Sequence, residues 1–397
     1  MLLYICCVNI SKKVKYYKGY IMNIVFVNEI FGMGGLERVS YVVGEGISSY
    51  KNVYFYSCFS DDNFYDIPKN FIDGRDFLLK VPFLNKVKNK SMRLIDKIKG
   101  EEYNPSKTMH FTLMKLVKFI NNNDIDVAVI SGPLLIACIP FIKHRTKVKT
   151  VAWLHNNYDV YMNDYAELFL TSFKDGLNVS NGAVCLTESD LKKYKHLNEK
   201  TVRISNPLTV ISNGKSDLKN KIISFTGRYS FEHKGIDYLV EIAKKIPTDW
   251  KISVAGTGNT NEIKKFEQLI KQNNLEKKII LRGPLKDNLL NEHYINSSIY
   301  LMTSRWEGFG LVLLEAMNFG LPIIAFSQSG SKEILEDGKY GMIIENGNVE
   351  EIVKAINQMC SDINIRKQYQ QLSLNRISDF EGNQITKEWI KYIDELK

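Results

Sequence analysis

Paired cysteines are missing from this sequence. Its six cysteines, Cys6, Cys7, Cys58, Cys138, Cys185 and Cys360, form no C-x-x-C pair that would hold zinc or run redox chemistry. They are expected to be reduced, buried thiols of a cytoplasmic protein. Long apolar runs are missing as well, and none reaches the roughly 20 residues that a bilayer span requires. The first ten residues, "MLLYICCVNI", are apolar, but positive charge follows them instead of preceding them, the wrong order for a secretory signal. Internal repeats and low-complexity tracts are absent, which excludes a fibre or an array.

What is present is ordinary for a soluble globular chain: 44% hydrophobic and 24% charged residues, too apolar for a mainly disordered protein. At 397 residues the chain exceeds what one hydrophobic core usually organises, so two domains are expected. The net charge of +9 is concentrated. Residues 80–99, "KVPFLNKVKNKSMRLIDKIK", carry seven Lys or Arg against one Asp, with apolar residues between them. A second basic cluster, "FIKHRTKVK", spans 141–149. Such interleaving suits a surface resting on anionic lipid headgroups, and it suits a solvated lysine-rich face equally well.

Short apolar runs alternate with longer helical patterns throughout. "NIVFVNE", "VYFYSCF", "DVAVISG", "VKTVAWLH", "GAVCLT" and "TVRISNP" fill the first half; "KIISFTGR", "WKISVAG", "KIILRG", "SIYLMTS", "PIIAF" and "GMIIE" fill the second. Continuous β-branched runs mark strands covered on both faces, and alternation with helices implies parallel sheets. Two such sets predict two Rossmann-like α/β domains. A first strand at Met22 leaves residues 1–21 as either an extension outside the fold or a start assigned too early. The expected division is a first domain over 22–206, a linker over 207–220, a second domain over 221–378 and a final amphipathic helix over 379–397. That helix carries Ile385, Trp389, Ile390 and Ile393 on one side.

Three loops at strand ends carry candidate chemistry. "FGMGGLERVS" follows the first strand and opens a helix, where glycine backbone can approach an anion. It departs from a dinucleotide fingerprint, because Glu37 stands at the third glycine position, and a tight turn explains it about as well. "FTGRYSFEHKGIDYL" places Arg228 and Lys234 around a short loop after a strand, two cations suited to a diphosphate. "SRWEGFGLVLLEAMNFG" places Glu307 on a loop and Glu315 within a helix, so they are no face-to-face acid and base pair. The amides of Phe309, Gly310 and Leu311 are expected in the first helical turn, where a phosphate is favoured. Glu307 is expected to accept hydrogen bonds from a polyhydroxyl group, and Glu315, alone on an apolar helix face, from a ribose.

The E-x7-E pattern of "EGFGLVLLEAM", the "GR" and "KG" pair, the "GGLERV" loop, "WLHN" at 153–156 and "ISNP" at 204–207 together resemble glycosyltransferase family 4, in order and spacing from Met22 onward. The resemblance implies a GT-B fold: two Rossmann-like domains whose parallel sheets face a central cleft, with the last helix crossing back to the first domain. It implies a retaining transfer from a nucleotide sugar. Arg228 and Lys234 would bind the donor diphosphate, Glu307 the sugar and Glu315 the ribose. Gly34 and Gly35, with Gly308, Phe309, Gly310 and Leu311, would bring backbone to the donor. His155 would face the transferred sugar or the acceptor.

Asp124-Ile125-Asp126 spells the D-x-D of metal-dependent transferases but leads straight into a strand, so no metal site and no cofactor is expected; the nucleotide sugar is a substrate. No nucleic acid partner is expected. The acceptor is expected to be a glycan or lipid-linked saccharide of the capsule, O-antigen or lipopolysaccharide kind, with peripheral contact to an anionic membrane through residues 80–99. Two rivals remain: a sugar-nucleotide epimerase of the same fold, and a non-catalytic scaffold in a membrane-associated glycan assembly.

Overall fold

The computed structural model describes residues 21–67, 70–75 and 102–396, so the expected extension up to residue 20 and the basic stretch 80–99 lie outside the described residues. The first sheet is built from β1 (Asn23–Asn28), β2 (Asn52–Ser57), β3 (Phe71–Asp73), β4 (Val127–Ser131), β5 (Lys149–Trp153), β6 (Gly182–Cys185) and β7 (Thr201–Arg203). All seven strands run parallel in the order β3-β2-β1-β4-β5-β6-β7. The second sheet uses β8 (Ile222–Thr226), β9 (Lys251–Ala255), β10 (Ile279–Gly283), β11 (Ile299–Met302), β12 (Ile323–Phe326) and β13 (Met342–Ile344). Its order is β10-β9-β8-β11-β12-β13, again all parallel.

Strands covered by helices on both faces need apolar side chains at every position, because the alternate faces are equally dry. Ile24, Val25, Phe26 and Val27 of β1 are all fully buried, as are Ile299, Tyr300 and Leu301 of β11. Both sheets are therefore legible as continuous runs. β3 is the exception. Its three residues, Phe71–Asp73, are exposed or half-buried at the sheet edge, so no apolar run announced it.

Each sheet reverses its strand order once, beside β1 and β4 in the first and beside β8 and β11 in the second. Loops leaving adjacent strands diverge at such a point and open a crevice at the carboxyl ends of the strands. The loops after β1, β8 and β11 are the three that the sequence marked.

The chain passes from one domain to the other along the second. The Leu208 amide donates to the Phe380 carbonyl at 2.9 Å, and the Asn318 side chain to the Val210 carbonyl at 3.0 Å. The final helix, Gly382–Glu395, returns to the first domain. Its Ile385, Trp389 and Ile393 join a core with Ile24, Phe26, Val39, Val43 and Trp153. The Trp153 and Trp389 rings meet edge to face at 4.6 Å, and Lys51 pairs with Asp394 at 2.7 Å beyond them.

Trp389 is fully buried in that core. Trp389→Ala is expected to cost about 3–5 kcal/mol, the range for deleting a buried large aromatic. Urea unfolding followed by circular dichroism measures it, and a loss below about 1 kcal/mol would show that the helix contributes little to the first domain.

Candidate functional site

The site is held together by two loops of the second domain that lock onto each other. The first runs from β8 to the helix Ile236–Ala243 and carries Arg228, His233 and Lys234. The second runs from β11 to the helix Leu311–Asn318 and carries Ser304, Arg305, Trp306 and Glu307. At Gly235, φ is +61°, and a Cβ there would stand 2.4 Å from the Thr303 carbonyl oxygen; only glycine permits this approach. The Thr303 hydroxyl donates to the Lys234 carbonyl at 2.9 Å. Arg305 closes the joint with a two-pronged pair to Asp237, at 2.9 and 2.7 Å, and lies 4.2 Å over the Tyr238 ring.

Within this frame Lys234 and Glu307 form a buried ion pair, Lys234 Nζ donating to Glu307 Oε1. The Ser304 hydroxyl donates to the same oxygen at 2.6 Å. Burial by itself would raise the Glu307 pKa; Lys234 foremost, then His233 and Ser304, hold it below the usual carboxylate value, so Glu307 stays ionised. Arg228 is exposed and makes no hydrogen bond or ion pair among the described residues. The two cations assigned to one diphosphate thus differ: Arg228 is open to an incoming anion, whereas Lys234 is engaged by Glu307.

The helix after this loop begins later than expected. Leu311 is its first residue, and Gly310, at φ 97°, precedes it; Gly308 and Phe309 belong to the loop. Gly310 is left-handed and so outside the helix, and Gly308 is pressed against the first domain. A Cβ on Gly308 would lie 2.1 Å from the His155 carbonyl oxygen. Of the three amides placed in the first helical turn, only that of Leu311 is there.

His155 follows β5 and reaches this contact from the opposite domain. Its ring packs against Trp153 with centroids 4.3 Å apart, and Nε2 lies 3.3 Å from the Ser131 hydroxyl. Burial lowers its pKa to about 3, so the imidazole is neutral at physiological pH and a poor proton acceptor. Gly34, extended, precedes the helix Gly35–Ser48 and exchanges hydrogen bonds with Tyr65, whose hydroxyl donates to the Gly34 carbonyl at 2.8 Å. Gly35 faces Leu311, whose Cδ1 would stand 3.3 Å from a Cβ there. Lys234 and Glu307 are therefore joined, with Arg228 near His233 on the same loop and Gly308 against the His155 backbone, while Gly35 meets Leu311 and Arg38 meets Glu315 at a neighbouring interdomain contact.

That contact centres on an unexpected pair. Glu315, expected to accept from a ribose, is nearly fully buried, and Arg38 of the first domain donates to its Oε1 at 2.7 Å and the Tyr294 hydroxyl to its Oε2 at 2.8 Å. Burial alone would lower the Arg38 pKa, but Glu315, Tyr65 and Tyr294 carry it above the ordinary value. Arg38 stands inside "GGLERV", yet nothing in the sequence linked it to a residue 277 positions away. The signal available was the cost of a lone glutamate in an apolar helix, which demands a partner from somewhere.

Three further groups escaped the sequence reading. His233 lies beside Glu307 and stacks on Trp306 at 4.9 Å and 13°. Glu29, one residue past β1, and Glu37, in the first turn of the following helix, both have raised pKa values, chiefly from burial, and Glu37 raises Glu29 further. Asp124 and Asp126 lie elsewhere. They line a hollow of about 860 Å³ at the amino-terminal ends of β4 and β5, the end of the sheet opposite His155. Among the described residues, no three His, Cys, Asp or Glu side chains are gathered as a metal site would require.

Comparison with known proteins bears on this arrangement. Residues 210–375 match the family described as glycosyl transferases group 1. An uncharacterised glycosyltransferase of Haemophilus influenzae is 27% identical over 92% of this chain and 97% of its own length. N-acetylgalactosamine-N,N'-diacetylbacillosaminyl-diphospho-undecaprenol 4-alpha-N-acetylgalactosaminyltransferase of Campylobacter jejuni is 27% identical over 44% of this chain and 47% of its own. The crystal structure of Anabaena HepE in complex with UDP superposes with a TM-score of 0.75 at 17% identity, covering 94% of this chain and all of that one. The chain has a GT-B fold, and these matches support a glycosyltransferase.

The unfolded chain binds a proton on His155 below about pH 6.5, whereas the folded chain does so only near 3. The folded state therefore loses stability relative to the unfolded one as pH falls below 6.5, by about 1.4 kcal/mol per unit. Between pH 7.5 and 5 the stability difference between wild type and His155→Asn is expected to move in favour of the variant by about 2 kcal/mol. Denaturant titrations across that range measure it; a constant difference would mean that His155 is not held neutral.

Proposed function

We propose that this protein is a retaining glycosyltransferase of family 4 that moves a hexose from a nucleoside diphosphate donor to a growing cell-surface glycan. One observation carries the reading: Lys234 and Glu307 are joined at the carboxyl ends of β8 and β11, beside a free Arg228, with the neutral imidazole of His155 across the interdomain contact. A uridine diphosphate sugar is the first expectation for the donor and guanosine diphosphate mannose the second.

When the glycosidic bond of such a donor breaks, negative charge grows on the β-phosphate. Cations already fixed at that place lower the barrier because they need not reorganise as the charge appears. Arg228 is free to receive the diphosphate on entry. Lys234 is preplaced by Glu307, and the pair separates its duties once a donor is bound, ammonium to phosphate and carboxylate to sugar hydroxyls. Glu307 stays ionised, which suits it to accept those hydrogen bonds. The low basicity of His155 makes it a weak general base, so it is assigned to hold a hydroxyl while the departing phosphate takes the acceptor proton. Such a reaction on one face of the sugar retains configuration and needs no protein nucleophile. We also assign no metal to the reaction.

Glu315 keeps its assignment to the ribose only if Arg38 yields or shares the carboxylate, so donor binding and the interdomain contact are linked in this scheme. The acceptor is read as a lipid-linked saccharide, by analogy with the Campylobacter relative whose name specifies a diphospho-undecaprenol carrier. Capsule, O-antigen and lipopolysaccharide assembly are the settings that fit. Among the described residues no helix is long and apolar enough to cross a membrane. The basic residues 80–99 are assigned to peripheral contact with the anionic cytoplasmic face.

Arg228→Ala and Lys234→Ala are each expected to lower turnover roughly 10²- to 10³-fold, the size of losing one preorganised donor to developing charge. Near wild-type turnover in either variant would refute its role. In a thermal-shift screen against UDP- and GDP-sugars, a true donor at a hundred times its dissociation constant should stabilise the fold by about 2.7 kcal/mol. The same donor incubated without acceptor should return unchanged as a sugar nucleotide; interconversion to its epimer would replace the transferase reading. Transfer should persist in EDTA, and a loss restored by manganese or magnesium would overturn the metal-free assignment.

A further inference from the structure

Lys234 and Ser304 both bond to one oxygen of Glu307, and among the described residues the other oxygen, Oε2, has no hydrogen-bond partner. Beside it, at 3.9 Å, stands Nε2 of His233, a buried nitrogen that likewise has none. The ring cannot easily turn away. It stacks on Trp306, its backbone amide donates to the Ser230 hydroxyl at 3.2 Å, and its carbonyl accepts from the Arg305 amide at 2.8 Å. The imidazole can meet a neighbour at Nε2 as donor or as acceptor, according to its tautomer. Burial, with Lys234 and Arg228 nearby, still lowers the ring pKa to about 4 and keeps it neutral.

A carboxylate oxygen and a ring nitrogen therefore lie side by side, and among the described residues no hydrogen bond joins either to the chain. A buried polar group without a partner, as His233 Nε2 is, is rare in folded proteins because it forfeits its hydrogen bonds to water. A phosphate does not suit Oε2, since its oxygens are acceptors as well. A pair of neighbouring hydroxyls suits both atoms, one donating to Oε2 and the other bonding Nε2 as donor or acceptor. Resting on the donor-sugar reading above, we propose that His233 is a specificity-determining residue: with Glu307 it reads two adjacent hydroxyls of the transferred sugar, while Arg228 and Lys234 hold the diphosphate.

This separates the sugar from the nucleotide in binding. Calorimetry should compare UDP and GDP with UDP-glucose, UDP-galactose, UDP-N-acetylglucosamine, UDP-N-acetylgalactosamine and GDP-mannose, on wild type, His233→Ala and His233→Gln. His233→Ala should bind the free diphosphate as wild type does, which also shows that the variant is folded, and bind the preferred nucleotide sugar roughly tenfold more weakly. Glutamine, whose amide oxygen reaches toward the Nε2 position, should restore most of that loss. A donor analogue deoxygenated at one of the two hydroxyls should lose affinity for wild type but little more for His233→Ala. Equal weakening of the free diphosphate and the nucleotide sugar, or no change in either, would overturn the proposal and leave the transferase reading intact. Failure of the wild-type protein to bind every nucleotide probe would overturn both.

Discussion

A carboxylate shut away from water must be answered by a cation or hydrogen-bond donors, and Glu307 is answered by Lys234 and Ser304. Much of the second domain's chemistry depends on this pairing. It joins the loop after β8 to the loop after β11, with the Gly235 approach and the Arg305–Asp237 pair serving the same joint. Because one oxygen of Glu307 is committed to that task, the other is left facing His233. Because Lys234 is committed, Arg228 is the cation left open. Lys234 and Glu307 thus belong both to the joint between the loops and to the proposed binding site.

A second buried carboxylate sets the relation between the domains. Glu315 draws Arg38 across the interface, and the small residues Gly35 and Gly308 let the two backbones come close enough for the contact. The final helix adds a covalent reason for the domains to stay together, since it leaves the second domain and completes the core of the first around Trp153 and Trp389. The interface is therefore part ionic and part apolar.

The strands and the fold class were legible because a parallel sheet covered on both faces forces unbroken apolar runs, and such runs survive without any knowledge of neighbours. The short edge strand β3 was not, since an edge needs no apolar run. Likewise, Phe309, Gly310 and Leu311 read as one helical turn from composition, yet the helix begins only at Leu311, after a left-handed Gly310 and a Gly308 pressed against the His155 carbonyl of the other domain. Local pattern carries no record of that pressure.

For the site, the sequence by itself determined which side chains stand at strand ends: Arg228, Lys234, Glu307 and His155 follow from where apolar runs stop and glycines begin. Only the tertiary structure decided which of them meet. Lys234 and Glu307 are 73 residues apart and Arg38 and Glu315 are 277 apart, so neither pair leaves a periodic or local trace. The need for a partner is a property of the buried charge and can be read from one residue; the identity of the partner depends on how two sheets are placed, and that is settled only when the chain has packed.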